Sequence, residues 1–240
     1  MTFRLRAFAG DETTRWAQRL AAVGRVRVAN LLAGQGADVL LDEARRRTPF
    51  QTVTTNSRGH VDLSAAWLDS LSPNQRIEFG RAVQESAVDR FQYLYDSYPL
   101  FDIARGGGLS GPWRDLLDFL NGEDFLTFIR SVTNEPRIAF ADAQVTRYRK
   151  GSFLTGHSDE APGKERYFAY VLNLTPGWKA EWGGLLMFHR EDGDIDEAFT
   201  PVGNTLNILR VPQSHSVSQV ALSAGDDRIS VTGWLRGGAP

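Results

Sequence analysis

Hydrophobic and polar positions change rhythm about halfway along this chain. In the first part the apolar residues recur at helical spacing. Asp11–Val23 reads as a short helix, and Ala37–Arg47 carries Val39, Leu40 and Ala44 on one side. Ser72-Pro73 opens the clearest helix, with a serine cap and proline in the first turn. Phe79, Val83, Ala87, Phe91 and Leu94 continue near the same period, which predicts a helix ending before Pro99. A further helix is predicted over Glu123–Val132. Arg25–Val28 alternates as a strand does, and Phe50–Thr55 is rich in β-formers. From about Ile138 onward, short apolar runs alternate with Gly, Pro and Asp clusters, the texture of an antiparallel barrel or jelly roll.

This pattern predicts one domain over residues 1–240. It is mainly β with helices: a mostly helical N-terminal part (1–137) supports a double-stranded β-helix, or jelly-roll, core (138–240). The 240-residue length fits a single large domain of this kind. With 27 basic and 29 acidic side chains the net charge is −2, so nothing draws the whole molecule to nucleic acid or to an anionic membrane. Cysteine is absent, which removes disulfides and thiolate metal ligands. Asp11 and Glu12 follow the start without an apolar run, and no stretch has the length of a membrane span, so a cytoplasmic protein is expected.

The candidate chemistry lies in the second half. His157-Ser-Asp159 is followed by His215 and then Arg228. Two imidazoles and a carboxylate are the ligand set of non-haem Fe(II) oxygenases, which leave coordination positions open. On a strand, positions i and i+2 face the same side, so His157 and Asp159 are expected together. The sequence has two further histidines. His60 lies in a polar stretch and reads as a solvated loop residue, whereas His189 competes with His215 as the third ligand. Arg228, Ser230, Thr232 and Trp234 share one face of an alternating run, and an arginine directed inward needs an anion.

The context of these residues resembles a known family. Tyr148-Arg-Lys-Gly-Ser-Phe-Leu-Thr-Gly-His157-Ser-Asp159, Val171-Leu-Asn-Leu-Thr-Pro-Gly-Trp178, Gly183-Gly-Leu-Leu-Met-Phe188, His215-Ser-Val217 and Arg228-Ile-Ser-Val-Thr-Gly-Trp234 follow one another in the order seen in iron(II)/2-oxoglutarate dioxygenases. They are similar in particular to the prolyl-4-hydroxylase-like branch. The resemblance runs from about Ala141 to Arg236, and the first 140 residues match only loosely. It implies that His157, Asp159 and His215 hold Fe(II), His215 being preferred because it precedes the arginine strand. It implies that Arg228, with Tyr148 and Ser230, binds 2-oxoglutarate, and that dioxygen is the second cosubstrate, with ascorbate as an auxiliary reductant.

The implied reaction hydroxylates an unactivated C–H bond and forms succinate and CO2. A prolyl residue in a protein, ribosomal or translation-factor loops included, is the favoured substrate. A free metabolite such as proline, or a metal-binding jelly roll without oxygenase activity, are the alternatives. An AlkB-type nucleic-acid demethylase is disfavoured, since its second arginine is replaced by Trp234. Many prolyl hydroxylases place a tyrosine directly before Leu-Asn, where this chain has Val171. Tyr170 is one step off and so on the other face. Gly106–Gly111 is expected to be a mobile loop, a flap beside the site if it has a role, and Asp192–Glu197 a solvated acidic loop.

Overall fold

A computed structural model describes residues 2–238. In chain order the elements are α1 (Gly10–Val23), β1 (Arg25–Ala29), α2 (Gly36–Arg46), β2 (Gln51–Asn56), β3 (Gly59–Leu63), α3 (Ala65–Ser70), α4 (Pro73–Ser86) and β4 (Tyr93–Tyr98). There follow α5 (Leu100–Arg105), α6 (Gly111–Leu120), α7 (Glu123–Thr133), β5 (Phe140–Ala141), β6 (Gln144–Tyr148), β7 (Phe153–His157) and β8 (Arg166–Asn173). The last strands are β9 (Leu186–His189), β10 (Ile195–Phe199), β11 (Thr205–Arg210), β12 (His215–Val217) and β13 (Arg228–Arg236).

The strands pair antiparallel in the order β1-β11-β8-β13-β6-β4-β7-β12-β9-β10, with β2 and β3 continuing from β4. The path folds over itself as a jelly roll. β8 shows how the sequence builds its two sides. Phe168, Tyr170 and Leu172 join Ile229 and Val231 of β13 and Ile208 of β11 against the helices. Ala169 and Val171 alternate to the interior, with Leu186, Phe188 and Leu209. Leu116, Leu120, Phe125 and Ile129, from α6 and α7, cover the outer face at full burial. This helix-side core holds the β-sheet from outside and leaves its interior free for a site.

Four differences from the sequence expectation have physical causes. The helix opened by Ser72 is α4, and its capping box is present: the Gln75 amide donates to the Ser72 hydroxyl, and the Ser72 amide to the Gln75 side chain. It stops at Ser86, however, and Leu94 lies in β4. β4 is inserted between β6 and β7, and that long-range pairing outweighs local periodicity. The N-terminal half therefore contributes sheet strands as well as helices. His60 is on β3 rather than in a loop, although its side chain is exposed. The acidic stretch is only partly loop: Asp196 and Glu197 belong to β10, and both pair with Arg25.

Candidate metal centre

The structure brings together His157, Asp159 and His215, whose ligand atoms all lie within 4.8 Å of one another. His157 ends β7 and His215 begins β12, and the two are direct cross-strand partners with ring centroids 4.1 Å apart. Asp159 arrives by a route different from the expected strand alternation. β7 ends at His157, and Asp159 is in the left-handed region, with φ of 62°. That turn, which Asp tolerates better than most residues, folds the carboxylate back between the rings.

His157 Nε2 is 3.5 Å from one carboxylate oxygen and His215 Nε2 is 3.4 Å from the other. Ligands about 2.1 Å from a common ion at roughly 90–109° are separated by about 3.0–3.4 Å, so small adjustments complete the set. The outward nitrogens are already fixed. His157 Nδ1–H donates to the Thr155 carbonyl at 3.0 Å, and His215 Nδ1–H to the Gln213 carbonyl at 2.8 Å. These bonds set the tautomer that presents the Nε2 lone pair to a metal. Burial and the neighbouring His157 push the His215 imidazole down to about 4, so it is neutral at physiological pH. Burial opposes ionisation of Asp159, but the hydrogen bond to His157 and the charges of His215, His157 and Arg166 hold its carboxyl below the ordinary range.

His189 is not in this group. Its Nε2 meets the Ser216 hydroxyl at 2.8 Å, and its Nδ1 faces Ser214.

The triad opens into an interior cavity of about 210 Å3. Arg228 lies in its wall, fully buried at 2% exposure, with Nε and Nη1 lacking any partner. Its guanidinium carbon is 5.0 Å from the Tyr148 ring centre. Burial lowers the Arg228 pKa, while the nearby Tyr148 works against that shift. A buried cation with unused donors is costly, and a bidentate carboxylate would satisfy it. Gly184, at φ of +61°, makes room here: a Cβ would lie 3.3 Å from Arg228 Cδ. The donor set therefore fits both parts of the implied group, a divalent metal at the triad and an anion at Arg228.

Tyr148 is buried in the cavity wall, stacked on Tyr95 with ring centres 5.0 Å apart. Ser230 is fully buried between β13 and β6, its hydroxyl 3.2 Å from that of Thr146, and Thr146 rather than Ser230 lines the cavity. Val171 belongs to the interior cluster, whereas Tyr170 packs on the helix side and donates to the Asp142 carbonyl. Residues 106–111 do not line the cavity; they connect α5 and α6, with Leu109 packed in the helix-side core.

Two groups of residues were not singled out by the sequence, one in the cavity wall and one beside Asp159. Phe91, Tyr93 and Tyr95 form one side of the cavity, and the tyrosines' i, i+2 spacing before Pro99 was the available strand signal. Arg166 stacks 3.5 Å above the Trp234 ring and donates to the Asp159 carbonyl. Its signal was a charge opening the otherwise apolar β8.

Residues 143–236 match the family model of the 2OG-Fe(II) oxygenase superfamily. Over these residues the chain is similar to 2OG-Fe(II) oxygenases. It is 36% identical over 122 residues to the prolyl 3-hydroxylase OGFOD1 of Xenopus laevis, a match covering 48% of this chain and 23% of that protein. The OGFOD1 of Mus musculus is 34% identical over 125 residues, covering 48% and 22%. The chain thus spans about a quarter of the length of these curated relatives. In fold it is similar to a Pseudomonas putida prolyl-4-hydroxylase, with a TM-score of 0.60 and 19% identity over 95% of this chain and 100% of the other. Among the described residues no helix is long and apolar enough to cross a membrane.

Proposed function

We propose that this protein is an Fe(II)- and 2-oxoglutarate-dependent dioxygenase that hydroxylates a prolyl residue in a polypeptide. The observation that carries this reading is the buried, unpartnered Arg228 in the wall of the cavity that also holds the His157–Asp159–His215 triad. A zinc hydrolase would use such a triad equally well but would have no task for this arginine. The relatives' printed activities, prolyl 3-hydroxylase and prolyl-4-hydroxylase, point to proline as the substrate class.

In this reading His157, Asp159 and His215 hold the metal, and Arg228 grips the distal carboxylate of the cosubstrate. Tyr148 and the Thr146–Ser230 hydroxyl pair adjoin that end of the site. Bound Fe(II) and 2-oxoglutarate supply the oxygen-activating chemistry, which couples decarboxylation to succinate and CO2 with C–H hydroxylation. The chain's own contribution is placement and exclusion. The two carbonyl-bonded imidazoles cannot rotate freely, the carboxylate stays ionised, and Ala169, Val171, Leu186 and Leu209 keep the interior dry.

The test incubates the protein with Fe(II), 2-oxoglutarate and ribosomal and translation-factor proteins. Mass spectrometry then seeks the gain of one oxygen on proline. The expected outcome is modification by the wild type and none by Asp159→Ala, whose iron content falls to background while its circular dichroism stays native. Efficient hydroxylation of free proline with no modified polypeptide would establish a metabolite hydroxylase instead.

A further inference from the structure

The cavity has two unlike ends. Around Arg228 it is closed, with buried donors suited to a small anion. From there a ladder of rings leads along one wall: Tyr148 to Tyr95 at 5.0 Å, Tyr95 to Tyr93 at 5.5 Å, Tyr93 to Phe91 at 5.5 Å. The first rungs are held. Tyr148 and Tyr93 are buried, and the Tyr93 hydroxyl meets His60 Nδ1 at 2.6 Å, with His60 Nε2 3.2 Å from Asp62. Phe91 is the exception. It is 47% exposed, yet it lines the cavity, and its ring centre is 5.5 Å from that of the metal-ligand candidate His157.

A large apolar ring left half in water beside a metal ligand is costly. Burying a phenylalanine ring is favourable, and no side chain among the described residues covers the exposed part of Phe91. The polar anchors are elsewhere, so Phe91 has no role in gripping the cosubstrate. Its position at the mouth, above His157, is where the reacting carbon of a substrate must pass.

We infer that Phe91 is a specificity-determining residue, the apolar wall on which the substrate's saturated ring is seated as its C–H bond is turned toward the metal. The inference rests on the prolyl reading above and deepens it. A pyrrolidine ring is compact and apolar at its carbon edge, and it would cover Phe91 while the flanking peptide remained at the open mouth. An open-chain residue of equal size, having no flat carbon face, would cover less of it.

The probe is a pool of blocked nonapeptides with a central proline and random flanks, beside a pool with central alanine. Two quantities are measured on the Fe(II) enzyme: hydroxylated peptide formed per 2-oxoglutarate consumed, and 2-oxoglutarate affinity from anaerobic titration of the visible chelate band. Phe91→Ala is expected to lower the coupling ratio on the proline pool at least about tenfold while 2-oxoglutarate titrates as in the wild type. Phe91→Tyr, which keeps the ring, is expected to restore most of the coupling. Because the Phe91 side chain is half exposed, neither change should disturb folding. If Phe91→Ala couples as well as the wild type, the inference fails and the prolyl reading stands. If the wild type binds 2-oxoglutarate but hydroxylates nothing in the proline pool, the prolyl reading fails and takes this inference with it.

Discussion

At the scale of single residues, the candidate triad is assembled by one left-handed turn and one cross-strand pair. His157 and Asp159 announce themselves by type and spacing, but strand alternation does not bring them together. Asp159 lies beyond the strand end, turned back by a left-handed backbone that spacing does not reveal. His189 and His215 could not be separated by type either. The separation comes from pairing: His215 stands opposite His157 across the β7–β12 ladder, while Phe188, not His189, is its partner on the other side.

Arg228 offers the sharpest test at this scale. Its two free nitrogens lose a charge-assisted bidentate contact on truncation, so Arg228→Ala should weaken 2-oxoglutarate by about 2–5 kcal/mol and leave iron bound. Arg228→Lys should recover little, because a single ammonium cannot reproduce the planar fork. Anaerobic titration of both variants checks this; wild-type affinity in Arg228→Ala would remove the guanidinium from the site.

At the scale of elements, local signals found most helices and their starts, and failed where tertiary pairing overrode them. Nothing between Ala87 and Phe91 breaks a helix as Gly or Pro would, so the apolar period runs on in the sequence; the pairing of β4 with β2, β6 and β7 is what ends the helix. The arginine strand β13 was legible because its two faces differ so sharply, Ile229 and Val231 against the helices and Arg228 and Trp234 toward the cavity.

The same strand contains a crossing that only Gly permits. A Cβ on Gly233 would lie 2.0 Å from the Asp142 carbonyl oxygen, a backbone atom that cannot swing away. Gly233→Ala must therefore push β13 off the β5–β6 connection and carry Trp234 with it. The expected cost is about 1–3 kcal/mol or more, read as a lower urea midpoint at unchanged slope. An unchanged midpoint would mean that the connection yields without strain.

At the scale of the whole molecule, charge balance told little beyond the partners it disfavours, because the charges that matter are placed rather than summed. Asp142 is the example. It lies in the connection between β5 and β6, accepting the Trp234 amide at 2.7 Å and pairing with Arg236 at 3.3 Å. Burial nevertheless raises its pKa above the ordinary 3.8, with the Trp234 amide and the Arg236 charge only partly opposing the shift. The sign follows from proton counting. Just above the ordinary value the unfolded chain has released this proton and the folded chain still holds it. Folding stability therefore falls as pH rises through that interval, and the contribution is fully present only below it. Asp142→Asn keeps an oxygen for the Trp234 amide and cannot ionise. The variant should thus gain stability relative to the wild type on going from pH 4 to pH 7, in urea unfolding of the metal-free protein at both pH values. The raised pKa already includes the Arg236 attraction, so losing that partly exposed pair does not reverse the direction. Parallel stabilities at the two pH values would show that the Asp142 carboxylate is as well solvated in the fold as in the unfolded chain.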